Sequence, residues 1–300
     1  MTRWIADGTL EHLRDVADWP DLGERYELKG RLGRGGMGAV YSAHDRVLDR
    51  DVAVKVLDPT SASEETAARL LNEARILARL EHPGIVPIHD AGTLADGRLF
   101  YVMKLVRGAP LGAALERETS AAGRLELVLR ICDAVSFAHA HGIVHGDLKP
   151  QNVMLGSFGE VLVIDWGVAA LLERRATDPV VAGTPGFMAP EQAVGSGGVD
   201  TRADVYALGS MLDAIFPRPL PGPLAAVVAR ARAPRPEDRY ETVDALAREI
   251  ERYRNGERVE AYQESALERG TRVYRRYRVA ILLVAAYVIV RVALLLWVRV

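Results

Sequence analysis

Between residues 26 and 106, short β-like runs, mostly apolar in the last two, fall at 26–32, 39–43, 52–57 and 100–106, interleaved with polar stretches rich in Gly and Asp. Runs of this length with abundant valine and tyrosine, bounded by such stretches, predict β-strands. One stretch differs. Over 61–80, Ala67, Leu70, Leu71, Ala74, Leu77 and Ala78 recur at helical spacing, and Ser61 with Glu64 offers a capping box, so one helix is expected among the strands. After Arg107 the helical period takes over, through 125–140, 204–216, 224–232 and 242–253. Residues 1–25 are polar, with a short helix expected near 10–16. The pattern describes an α+β architecture, a small β-rich lobe followed by a larger helical one.

The tail departs from this. Residues 279–298 read VAILLVAAYVIVRVALLLWV, with Arg291 the one charged position, and as a helix this length spans the hydrocarbon core of a bilayer. On an insertion scale its thirteen Val, Ile and Leu residues contribute roughly −4 to −8 kcal/mol, against about +2.5 to +3.5 for a central Arg, so insertion is expected. Arg291 lies past the midpoint and is expected to extend toward the far headgroups, with Tyr274, Tyr277 and Trp297 at the two interfaces. Arg269, Arg272, Arg275, Arg276 and Arg278 precede the segment with no acid among them, which places its N-terminal side in the cytoplasm. Nothing at the N-terminus resembles a signal peptide. The alternative is an apolar terminal helix docked on the soluble part or on a partner. With the chain ending two residues past the span, a trigger from inside the cell is expected.

Composition adds limits. At 300 residues, 49% hydrophobic and 26% charged, the chain is neither a disulfide-stapled miniprotein nor disordered throughout. Cys132 is the only cysteine, so an internal disulfide and a CxxC zinc pair are excluded, and a reducing compartment is expected. Lysine occurs only at 29, 55, 104 and 149, so any lysine set among chemistry-bearing residues stands out.

Gly33-Arg34-Gly35-Gly36-Met37-Gly38 is a GxGxxG run. A dinucleotide fingerprint needs a helix straight after it, whereas Ala39-Val40-Tyr41 continues as strand, leaving a hairpin turn that is either plain or able to lie over phosphates. Lys55 interrupts the apolar strand 52–57, and Glu73 interrupts the apolar stripe of helix 61–80. Each is costly to bury alone, so the two are expected to pair. Further on, Asp147, Lys149 and Asn152 lie in His145-Gly146-Asp147-Leu148-Lys149-Pro150-Gln151-Asn152, and the apolar strand 161–164 ends in Asp165-Trp166-Gly167. One carboxylate to take a hydroxyl proton, one ammonium, and the hard oxygens of Asn152 and Asp165 for Mg2+ make a set suited to phosphoryl transfer.

With Ala189-Pro190-Glu191, these ordered motifs resemble those of bacterial serine/threonine protein kinases of the eukaryotic-like type, over residues 26–253. Lys149-Pro150 and Gly183-Thr184-Pro185 are similar to the serine/threonine branch. The resemblance implies a two-lobed protein-kinase-like fold, with an N-lobe 26–106 and a C-lobe 107–253; an N-terminal extension 1–25 precedes it, and the tail adds a basic juxtamembrane linker 254–278 and a transmembrane helix 279–298. It implies ATP held by Leu32, Gly33, Gly35, Gly36, Gly38, Val40, Ala53 and Lys55, with Met103 as gatekeeper and the backbone of Lys104 and Val106 along adenine. It also implies Lys55 positioned by Glu73, Asp147 as catalytic base, Lys149 on the γ-phosphate, Mg2+ on Asn152 and Asp165, Asp204 anchoring the catalytic loop, and Arg239 paired with Glu191.

Three positions depart from the family pattern. Gly146 replaces the arginine that commonly receives a phosphorylated activation loop, Trp166 replaces a phenylalanine expected to stack with Leu77, Ile88 and His145, and 217–223 is short where another helix is usual. Thr177 and Thr184 are the only hydroxyls between Asp165 and Glu191, with Thr184 expected on the substrate platform and Thr177 as a phosphosite. The resemblance implies a single-pass inner-membrane kinase facing the cytoplasm that phosphorylates protein Ser/Thr hydroxyls. The partners expected are those proteins, the bilayer and a second copy of the chain, with no nucleic acid. A pseudokinase scaffold is the rival, yet Lys55, Asp147 and Asp165 are all retained. A small-molecule kinase fits the Ala-Pro-Glu and Gly-Thr-Pro segments less well.

Overall fold

The computed structural model describes residues 19–35, 38–57, 75, 78–116, 120–166, 170–171, 184–194 and 200–297. Gly36, the helix expected near 10–16, most of the helix expected over 61–80 with Glu73 and Leu77, and Gly167, Thr177 and Gly183 lie outside the described residues.

Strands β1 (Tyr26–Gly35), β2 (Gly38–Asp45), β3 (Arg50–Leu57), β4 (Ile88–Thr93) and β5 (Leu99–Lys104) form one antiparallel sheet in the order β1-β2-β3-β5-β4. Successive side chains face opposite sides of a strand, so β3 sends Val52, Val54 and Val56 one way and Ala53 and Lys55 the other. The valines meet Tyr41, Ala43 and Val102 from the neighbouring strands in a buried cluster. Trp19 and Leu22, from the stretch expected to be a polar extension, cover that cluster, with the Trp19 ring edge-on to Tyr41 at 6.5 Å. The lobe therefore begins packing before β1. β4 escapes the sequence pattern because its six residues, IHDAGT, hold one large apolar side chain.

The second lobe is built on helices α1 (Leu111–Leu115), α2 (Ala121–Ala140), α3 (Pro190–Val194), α4 (Thr201–Ile215), α5 (Gly222–Ala231) and α6 (Val243–Arg254). Short strands β6 (Gly108–Pro110), β8 (Val153–Gly156) and β9 (Val161–Val163) form a second sheet, and β7 (Ile143–Val144) pairs with β10 (Ala170–Leu171). α2 starts where the Ser120 hydroxyl accepts a hydrogen bond from Gly123 N–H at 2.9 Å. Its Val128, Ile131, Cys132 and Val135 are sealed against Leu208 and Met211 of α4 and Leu246 and Ile250 of α6. Burial pushes the Cys132 thiol up to about 12. α4 and α5 are joined directly by 216–221, with no helix between them.

Helix α7 (Ala266–Trp297) runs 32 residues without a break, so the basic stretch 269–278, expected within a linker, is helical and continuous with the apolar segment. Its window Tyr277–Leu294 has a mean hydropathy of 2.1 and is exposed throughout. The Arg291 side chain lies along α7. Helical side chains lean toward the N-terminus, and its Nη1 donates to the Tyr287 hydroxyl at 3.0 Å, one turn back.

Leu22 fixes the start of the N-lobe core at 9% exposure. Leu22→Ala should destabilise the N-lobe by about 2–3 kcal/mol, read as a lower denaturant midpoint at unchanged slope; no shift would mean that residues 19–25 do not pack on the sheet.

Candidate active site

The loop between β7 and β8 carries most of the chemistry, and one buried carboxylate positions it. Asp204 of α4, 1% exposed, accepts hydrogen bonds from His145 N–H and Gly146 N–H at 2.9 Å each, and from His139 Nε2 at 2.8 Å. Burial alone would push this carboxyl's pKa up, but the hydrogen bonds it accepts from His139 and from the Gly146 amide outweigh it, and the group ends below its ordinary 3.8. Gly146 has φ +79°, in the left-handed region that a residue without Cβ enters freely, and its carbonyl accepts from Gln192 Nε2 at 2.7 Å. Gln192 Oε1 in turn accepts from Ala189 N–H at 3.0 Å, so the Ala-Pro-Glu segment is stitched to the loop. The His145 ring donates from Nε2 to the Ile164 carbonyl at 3.2 Å and accepts at Nδ1 from Asp147 N–H at 3.3 Å.

From this backbone Asp147, Lys149 and Asn152 converge. Lys149 Nζ donates to Asp147 Oδ2 at 2.6 Å and to the Thr184 hydroxyl at 2.7 Å, while that hydroxyl donates to Asp147 Oδ1 at 3.1 Å. Asn152 Nδ2 donates to the Asp147 carbonyl at 2.8 Å, which leaves the amide oxygen as its ligating atom. A 3₁₀ turn, Pro150–Asn152, brings Asn152 back under Asp147.

The second carboxylate crosses the cleft. Asp165 follows β9 with φ +60°, a conformation that most side chains avoid, and its Oδ1 accepts from Lys55 Nζ at 2.9 Å across 110 residues of sequence. Partial desolvation raises the Asp165 pKa, but the Lys55 charge and hydrogen bond, with His145 and Lys149 further off, carry it below 3.8. Lys55 is sequestered while the Asp165 side chain stays 47% exposed, so the pair opens on one side to solvent. Trp166 is fully buried, its ring 4.6 Å from that of His145, and Ile88 packs against the same core.

Strand register supplies the roof. Val40 lies opposite Lys55, Ala53 opposite Met103, and Tyr101 opposite Lys55, so all five share one face of the sheet, with Lys55 Nζ 5.7 Å from the Tyr101 ring centroid. Gly33 pairs with Val40 and Gly35 with Gly38 at the hairpin that projects beyond Leu32, itself exposed. Lys104 N–H is taken by the Pro87 carbonyl at 3.1 Å, so the edge beyond β5 offers a ligand the Lys104 carbonyl rather than its amide, followed by Val106. Glu191 and Arg239 form a bidentate pair at 2.6 Å for both contacts. His139 and Gln192 were not singled out from sequence; the signal was a lone polar residue among buried positions, the same signal that marked Glu73.

Comparison with known proteins gives a consistent set. A model of the protein kinase domain matches residues 26–226. The DNA damage-responsive serine/threonine-protein kinase RqkA of Deinococcus radiodurans is 44% identical over 198 residues, covering 64% of this chain and 29% of that protein. The serine/threonine-protein kinase PknD of Chlamydia caviae is 33% identical over 294 residues, covering 78% of this chain and 31% of its own length. This chain thus spans less than a third of these two curated relatives. The crystal structure of the Mycobacterium tuberculosis PknI kinase domain superposes with a TM-score of 0.60 at 30% identity, covering 76% of this chain and 95% of that one.

Asp204 gives a stability test with a defined sign. Its folded pKa is depressed, so its contribution is complete above about pH 4 and is lost as pH falls through the folded value. Asp204→Asn should remove about 3 kcal/mol at pH 7, and the gap from wild type should narrow below about pH 4 in denaturant titrations. A gap independent of pH would mean that the carboxylate is not the acceptor.

Proposed function

The chain belongs to the protein kinase family, and from that premise we propose that it transfers the γ-phosphoryl group of ATP to serine or threonine hydroxyls of proteins. The observation that carries this reading is the meeting of Lys55, Asp165, Asp147, Lys149 and Asn152, drawn from both lobes, around one solvent-open cleft. The donors present suit a magnesium nucleotide. Asp165 offers a half-exposed carboxylate and Asn152 an amide oxygen, two hard ligands that phosphate oxygens would complete for a cation that favours few protein ligands. ATP with Mg2+ supplies the transferable group and neutralises charge around it.

The side chains then divide the work. Lys55, held beneath the sheet, would bind phosphate oxygens once these compete with Asp165 for its ammonium, and the face made by Val40, Ala53 and Met103 would cover the base. Glu73 would position Lys55, and Gly33, Gly35, Gly36 and Gly38 would let the hairpin backbone approach phosphates. Asp147 accepts from a threonine hydroxyl at 3.1 Å, which supports its role as the acceptor for a substrate hydroxyl and the group that takes up its proton. Lys149, 2.6 Å from that carboxylate, is positioned to offset negative charge on the transferring oxygens. Serine and threonine are the acceptors proposed, in keeping with the Thr184 platform beside Asp147.

We read α7 as a single-pass anchor with the kinase domain on the cytoplasmic side. Support comes from its apolar window Tyr277–Leu294, from exposed Tyr274, Tyr277 and Trp297 near the two ends, and from the five arginines between 269 and 278 at its N-terminal end.

Asp147→Asn should lower phosphate transfer to a generic protein substrate by about 10²–10⁴-fold while nucleotide affinity by calorimetry stays within about twofold. Wild type that binds nucleotide and transfers none to itself or to substrate would make the chain a nucleotide-binding scaffold. Separately, removing residues 269–300 should move the protein from the membrane pellet to the soluble fraction with nucleotide binding retained. Continued sedimentation of the shortened chain with membranes would refute the anchor.

A further inference from the structure

Residues between α6 and α7 do not form a loose tether. Past the end of α6, Gly256 turns the chain with φ +67°, its N–H donating to the Tyr253 carbonyl at 3.1 Å while Glu257 N–H donates to the Arg252 carbonyl at 2.8 Å. The chain then runs back over the lobe and is fixed at three points. Val259 enters the main core at 2% exposure. Glu249, buried on α6, accepts from Glu260 N–H at 3.1 Å and Ala261 N–H at 3.0 Å, with Arg252 on the same carboxylate at 2.8 Å. The Tyr262 ring rests on Gly222 at the start of α5, where a Cβ would come within 3.1–3.2 Å of it.

The entry to α7 is fixed as well. Ser265 and Glu268 form a reciprocal capping box, Ser265 N–H donating to Glu268 Oε2 at 2.8 Å and Glu268 N–H to Ser265 Oγ at 3.3 Å. The Tyr262 hydroxyl donates to Glu268 Oε1 at 2.8 Å, and Arg272, two turns on, forks onto Glu264 at 2.8 and 3.0 Å. From Ala266 to Tyr277, where the apolar window opens, is eleven helical steps, about 17 Å. The headgroup layer takes up about 5–7 Å of that distance, and the five arginines between 269 and 278 lie in the zone where an anionic surface still attracts charge.

We propose that residues 255–265 lock the kinase domain to α7 as a bracket, so that bracket and arginine collar together hold the C-lobe in one pose on an anionic bilayer surface. The inference rests on reading α7 as a membrane anchor. It makes the anchor a strut whose direction is set by the core of the C-lobe.

The test uses the full chain in nanodiscs of phosphatidylcholine with phosphatidylglycerol. Cys132 is sealed in the core, so spin labels on Phe158→Cys and Thr271→Cys report the lobe-to-helix distance alone. A narrow distance distribution is expected, at least twofold narrower than that of a control with twelve Gly-Ser residues inserted between Gln263 and Glu264. Glu249→Gln should fall between the two, and the insertion control, which leaves the packed residues intact, stands even if that substitution impairs folding. Energy transfer from a dye on Phe158→Cys to headgroup acceptors should be higher on phosphatidylglycerol discs than on pure phosphatidylcholine. A native distribution as broad as the control's, or equal transfer on both lipids, overturns the proposal. A chain that fails to co-purify with the discs refutes the anchor itself, and the proposal falls with it.

Discussion

A single carboxylate, sealed from water beneath the catalytic loop, sets the geometry on which the site depends. Asp204 sits on a helix whose other faces are committed to the core, so its oxygens have a fixed place, and the two backbone amides that reach them fix the path of His145 and Gly146. Desolvating an anion this completely is tolerable only because three donors converge on it, and those donors are available only if the loop lies where it does. The constraint then passes outward. Gly146 in its left-handed conformation points its carbonyl at Gln192, which holds Ala189 and so brings the platform around Thr184 up to Asp147. Core packing and cleft geometry are thus one problem, with α4 as its common member.

The Lys55–Asp165 contact is of another kind. It joins the lobes across the cleft, is open on one side, and is made of two charges that phosphate oxygens and a cation can each satisfy instead. Such a bridge can be taken over by a ligand without disturbing the core of either lobe. Against partial desolvation, the Lys55 charge and hydrogen bond hold the Asp165 carboxyl below its ordinary pKa.

Much of this was legible in the sequence because the signals were periodic or were exceptions to a period. β2, β3 and β5 are short runs rich in valine and tyrosine, α2, α4, α5 and α6 keep helical spacing, and Lys55 announced itself as a charge in a strand of valines. What stayed hidden has physical reasons. β4 holds one large apolar side chain and β6, β7 and β8 are two to four residues long, so pairing with their neighbours rather than their own propensity makes them strands. Trp19 and Leu22 are two apolar residues in a polar stretch, and only the exposed face of a sheet built from later residues gives them a place to go. Gly146 read as a missing arginine; its backbone conformation, which no pattern of residue types reveals, adds a reason for glycine. The bracket at 255–265 was equally invisible, since it is made of one valine, one tyrosine and a glutamate that answers backbone amides.

The backward lean of Arg291 toward Tyr287 has a further consequence. In a bilayer, the uncharged stretch between Arg278 and Arg291 would cover only about 20 Å, well short of a typical hydrocarbon thickness of about 30 Å. A guanidinium directed toward the midplane draws water and lipid phosphate down to itself, pinching the leaflet around the helix. On the reading of α7 as an anchor, such a helix would favour thin or easily deformed regions of membrane, and bilayer thickness itself would be a variable that sorts where the protein resides.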